Sequence, residues 1–119
     1  MILVDTSVWA DHLGKGDARL SGLLNSGLVL MHPFVCGEIA LGNLKPRDSI
    51  LGALARLPMA RVASEDEVMV FIDTVGLFGT GVGLIDAHLL ASAKIEAAAL
   101  WARDKRLHVQ AVRLGLSAD

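Results

Sequence analysis

Four carboxylates stand where carboxylates are costly. Asp5 follows the apolar run Ile2-Leu3-Val4 and precedes Val8-Trp9. Glu38 would share a helix face with Phe34, Val35, Leu41 and Gly42. Asp86 lies in an apolar helical stretch, with Gly83, Leu89, Leu90 and Ala93 on its face. Asp104 follows Leu100-Trp101-Ala102-Arg103. A carboxylate on a buried face is strongly unfavourable unless it is paired. No basic residue lies at helical spacing from Glu38 or within one turn of Asp86, so any partner comes from far along the chain.

One shared cation satisfies all four. Two like charges about 4 Å apart repel by about 4 kcal/mol at an effective dielectric near 20. A divalent ion offsets that repulsion. All-oxygen ligands favour Mg²⁺, or Mn²⁺ in its place, over zinc. The chemistry that follows is phosphodiester hydrolysis, with metal-activated water attacking and the metal holding charge on the phosphoryl oxygens. Capping is the plain alternative for Asp5 and Asp104, because Asp favours turns and helix N-termini. It fits Glu38 and Asp86 poorly. Thr6 and Ser7 are expected to cap the next helix, and either hydroxyl could support the metal site.

The elements around these acids read as an α/β fold. Met1–Val4 is a buried strand ending in a polar turn. Val8–Leu13 is expected to be a helix stopped by Gly14, and Asp17 to cap a second helix that ends at Gly27. Leu28–Met31 reads as another strand. Pro33 opens the helix that carries Glu38, and Pro46 opens the next. Met59–Ala63 is a strand expectation. Ser64 and Glu67 have capping-box spacing before the stripe Val68, Phe71, Ile72 and Val75. A glycine-rich connector, Phe78–Gly83, leads to a helix over Leu84–Ala97. Ala98–Ala102 is a strand, and Asp104 can cap a last helix. Strands alternating with helices predict a short parallel β-sheet with helices on both faces, in one domain over 1–119. Ligands in such sheets sit beyond the carboxyl ends of the strands, where Asp5 and Asp104 fall.

Composition narrows the class. The chain has 119 residues, 53% hydrophobic and 20% charged, with formal net charge −2. No apolar run approaches the roughly 20 residues needed to span a bilayer, and no secretory leader is visible. Cys36 is the single cysteine, which suits a cytoplasmic location. The net charge is low for a nucleic-acid binder. Arg103, Lys105 and Arg106 nevertheless form a local basic group around Asp104, and are candidate RNA contacts. The histidines show no metal-ligand spacing. Gly79–Gly83 lacks the Lys-Ser/Thr of a phosphate-binding loop.

Four segments, taken in order, resemble the PIN-domain ribonucleases, and among them the VapC-type toxins of toxin–antitoxin pairs. They are Ile2–Trp9 (ILVDTSVW), Gly37–Gly42 (GEIALG), Leu84–Ala93 (LIDAHLLASA) and Leu100–Leu107 (LWARDKRL). The resemblance implies a PIN fold, an α/β/α sandwich. It implies Mg²⁺- or Mn²⁺-dependent endoribonuclease activity that inhibits translation and growth. Asp5, Glu38, Asp86 and Asp104 match the acidic positions, with Asp104 acting directly or through water. Thr6 or Ser7 matches the supporting hydroxyl. The implied partners are RNA, a VapB-like antitoxin that can place a basic side chain among the acids, and a second copy in a homodimer or larger toxin–antitoxin complex. Ala102 departs from the Thr or Ser of many relatives, and Leu107 from a common aromatic. The count of metals, one or two, stays open. The alternative is a non-catalytic PIN-like module that binds RNA or protein.

Overall fold

The computed structural model describes residues 1–119. Its order is β1 (Ile2–Val4), α1 (Thr6–Lys15), α2 (Ala18–Asn25), β2 (Val29–Leu30), α3 (Pro33–Ala40), α4 (Arg47–Ala55), α5 (Glu65–Val75), α6 (Leu84–Ile95), β3 (Ala99–Trp101) and α7 (Lys105–Arg113). The sheet order is β2-β1-β3, all parallel, with Ile2 opposite Val29 and Ala99. This is the expected α/β architecture. Leu3, Val4 and Leu100 are fully buried, as strands covered by helices on both faces must be. No helix is long and apolar enough to cross a membrane.

Several boundaries differ from expectation. Helix α1 starts at Thr6, with Asp5 as its N-cap, so Thr6 and Ser7 are helical residues rather than caps. It runs through Gly14 and stops at Gly16, where φ is 85°, a value that glycine adopts without a Cβ clash. The expected strand at 59–63 reduces to one bridge, Met31 to Met59. Beyond it the Arg61 N–H donates to Glu96 Oε1 and the Ser92 hydroxyl donates to the Arg61 carbonyl. Side chains take the groups a ladder would have used. On the other edge, the C-terminal segment bridges Leu100 at Ser117. The Ser64–Glu67 capping box forms as read.

His32 fixes the turn from β2 into α3. It is fully buried. Its Nδ1 accepts from the Phe34 N–H, and its Nε2 lies 3.1 Å from Ser92 Oγ. The Ser92 hydroxyl donates to Arg61, so the network assigns the neutral ring its proton on Nε2. Burial, and secondarily His88, push the His32 pKa down from 6.5 to about 4. The unfolded chain therefore takes up a proton over that window and the folded chain does not. Stability falls as pH drops from 6.5 to about 4, by about 2–3 kcal/mol from this group, and gains nothing further below. His32→Asn keeps a capping side chain and is expected to flatten that part of the profile. Thermal unfolding across pH compares the two slopes; equal slopes would remove His32 as the titrating group.

Candidate active site

The topology places the acids at one end of the sheet. Asp5 leaves the central strand β1, Glu38 lies on the helix after β2, and Asp104 follows β3. Asp86 enters from the first turn of α6.

Asp5 is buried, at 6% exposure. Its Oδ2 accepts from the Ser7 N–H at 3.1 Å and the Ser7 hydroxyl at 2.6 Å, while Oδ1 makes no hydrogen bond within the protein. Ser7 Oγ also accepts from the backbone N–H of Arg103 at 3.0 Å and of Asp104 at 3.4 Å. One hydroxyl thus ties the ends of β1 and β3 together. Thr6 does the matching task on the other side, donating to Glu38 Oε1 at 2.7 Å. Each hydroxyl serves a different carboxylate.

Asp104 caps α7 through a bond from the Leu107 N–H to Oδ1 at 3.1 Å, and is exposed. Glu38 is half-buried, and the apolar face expected around it is incomplete, since Leu41 is 89% exposed. Asp86 is half-buried. It sits in the first turn of α6 rather than mid-helix, where the N-terminal dipole favours an acid. Burial nonetheless pushes its pKa up to about 6, helped by the charges of Asp5, Asp104 and Glu38 and opposed by the Gly83 backbone. The charges of Asp5, Asp104 and Glu38 therefore all reach Asp86. None of them pairs with lysine, arginine or histidine. The cluster is loose. No three acidic, histidine or cysteine side chains close into a ready-made metal cage.

The basic residues divide. The Arg103 guanidinium is engaged by Asp11 at 2.6 Å and by Asp17, and stands over the Trp101 ring at 5.4 Å. These contacts dock α1 and the α1–α2 turn onto the end of β3. Lys105 and Arg106 have no acidic partner. His12 and His32 accept backbone N–H groups, and His88 is buried with its Nδ1 unpartnered. The Phe78–Gly83 connector contains no helix or strand.

A groove of about 530 Å³ opens beside Thr6 and Glu38, between α1, α3 and α4, with Leu13, Ile39, Leu44 and Ile50 among its lining residues. Sequence reading did not find it. The signal available was the stripe of apolar residues on α4.

Two relatives match almost end to end. Both are named Ribonuclease VapC32, from Mycobacterium tuberculosis strains CDC 1551/Oshkosh and ATCC 25618/H37Rv. Each is 46% identical over 118 residues, which is 98% of this chain and 95% of the relative. The chain belongs to the VapC family of PIN-domain ribonucleases. A solved VapC structure agrees in fold: M. tuberculosis VapC20, described as a sarcin–ricin loop cleaving toxin, has a TM-score of 0.65. It shares 23% identity and covers 92% of this chain and 95% of that one. No family model matches the chain. VapC membership puts the acids at the end of the sheet in a nuclease.

Proposed function

We propose that this VapC-family chain is a metal-dependent endoribonuclease, the cytoplasmic toxin of a VapBC-type pair. The carrying observation is the unpaired acid cluster: Asp86 feels Asp5, Asp104 and Glu38, and no cation of the chain neutralises them.

The donor set fits Mg²⁺ or Mn²⁺. It is all oxygen and mutually repulsive. It is also open, as suits an ion that keeps several waters and binds through few carboxylates plus phosphate. Asp5 and Asp86 would hold the ion, with Glu38 and Asp104 beside them, directly or through water. Once bound, the ion supplies an activated water and charge stabilisation at the phosphoryl group. The chain's own residues do the placing. Ser7 keeps Asp5 in one orientation and leaves Oδ1 free. Thr6 fixes Glu38. The Ser7 bonds to the backbone of Arg103 and Asp104 hold the end of β3 in register with Asp5.

The partner readings rest on surface. The groove is mixed in character and has Glu38 in its lining, and an antitoxin segment lying in it would reach that acid with a basic side chain. Met69 and Val70 on α5, with Leu84, Ile85 and Ile95 on α6, are exposed. Met69, Leu84 and Ile85 line one hollow and Val70 and Ile95 another, and such exposed apolar surface suits a second copy of the chain.

Expression of the chain alone in bacteria tests the reading. Growth arrest is expected from the parent and not from Asp5→Asn, which keeps a side chain able to cap α1. Persistent arrest by a folded Asp5→Asn protein would sink the proposed mechanism.

A further inference from the structure

We propose that Arg106, seated on Gly81, grips a phosphate of the RNA strand beside the acid cluster. The inference rests on the ribonuclease reading and names a contact within it.

The acid cluster repels a polyanion, so the strand needs positive charge close by. Arg103 cannot supply it freely, since Asp11 and Asp17 occupy its guanidinium. Arg61 and Arg19 are likewise paired, with Glu67 and Asp119. Lys105 and Arg106 are both exposed and without an acidic partner, and of the two it is Arg106 that lies against Gly81. It lies two residues beyond Asp104, in the first turn of α7, a turn without acids. A helix N-terminus disfavours a cation, so local helix stability does not account for an arginine there.

Its position is nevertheless defined. A Cβ added at Gly81 would stand 3.3 Å from Arg106 Cδ, 3.4 Å from Nε and 3.6 Å from Cζ. The end of the Arg106 side chain, Cδ with Nε and Cζ of the guanidinium, therefore lies over Gly81, where an added Cβ would press on it. Gly81 has φ +85°, which itself favours glycine. Two residues later, Gly83 is the N-cap of the helix carrying Asp86. The contact joins the segment after β3 to the segment before α6, at the side of the site where Asp104 and Asp86 stand. With Nε and Cζ over Gly81 and no acid engaging the guanidinium, its terminal N–H groups are left for a phosphate, with less side-chain freedom to lose on binding.

Arg106→Met separates charge from packing, because the methionine stem can still cover Gly81. The probe is a fluorescein-labelled, mixed-sequence single-stranded RNA, read by anisotropy with EDTA present so that cleavage does not intervene. Losing one phosphate contact on a single strand removes about 0.7 from the slope of log affinity against log salt. Near 0.1 M salt that is about a fivefold loss of affinity. Arg106→Met is expected to show both changes with an unchanged melting temperature, and Arg106→Lys to recover part of the affinity. Parent-like affinity and slope in Arg106→Met would overturn the contact while leaving the ribonuclease reading intact. A fall in melting temperature without a change in slope would assign Arg106 a packing role and overturn the contact as well. A parent chain that binds no RNA and cuts none would overturn both.

Discussion

Asp86→Asn is expected to cut RNA cleavage by about 10²–10³-fold while making the metal-free protein more stable. The two effects have one cause. Asp86 is half-buried in a cluster of like charges, which pushes its pKa up to about 6. A folded-state pKa above the usual carboxylate value means that stability is full at low pH and is lost as pH rises through about 6. Above that, the ionised carboxylate is held against Asp5, Asp104 and Glu38 with no counter-ion from the chain. Asparagine keeps the shape and removes the charge. With half-burial discounted for solvent screening, the gain is about 1–2 kcal/mol, a rise of several degrees in melting temperature at neutral pH. The gain should vanish towards pH 4. Thermal unfolding and cleavage of the same preparations give both readings. A structural Asp86 predicts the reverse pair: lower stability and retained cleavage.

A divalent cation is expected to have the second large effect, and with the same sign at both levels. Chelation should silence cleavage, and Mg²⁺ or Mn²⁺ should restore it. Binding to the folded state alone stabilises by about 2.7 kcal/mol when the free ion is at 100 times its dissociation constant. The melting temperature of the parent should therefore climb with added Mn²⁺. Asp86→Asn should climb little, having already lost both the repulsion and the ligand. Equal climbs in the two proteins would place the ion elsewhere on the molecule.

The carboxylates were legible because charge in an apolar run is conspicuous along one chain. Asp104 as the cap of α7 and the Ser64–Glu67 box were legible for a related reason, since caps are local and have local spacing. Asp5 was harder. Asp, Thr and Ser can each cap a helix, and nothing in Asp5-Thr6-Ser7 says which one takes the extended backbone. The structure gives the cap to Asp5 and frees both hydroxyls for the site. Thr6 to Glu38 spans 32 residues and Ser7 to the Arg103 N–H spans 96. Such bonds leave no mark in local spacing. Arg103 illustrates the same limit. It reads as one cation of a basic group, yet Asp11 and Asp17, 92 and 86 residues away, claim its charge. The short strand at Met59 failed to extend because Glu96 and Ser92, both distant in sequence, capture the groups around Arg61.

The central claim is that the acids at the end of the sheet cut RNA through a bound divalent ion. Its most direct test is RNA cleavage by the purified chain, stripped of metal with EDTA and then resupplied with Mg²⁺, beside Asp86→Asn treated identically. The predicted result is cleavage by the parent only after Mg²⁺ returns, and little by the variant in either condition. Cleavage by the stripped parent, or by Asp86→Asn at the parent's rate, would contradict the claim.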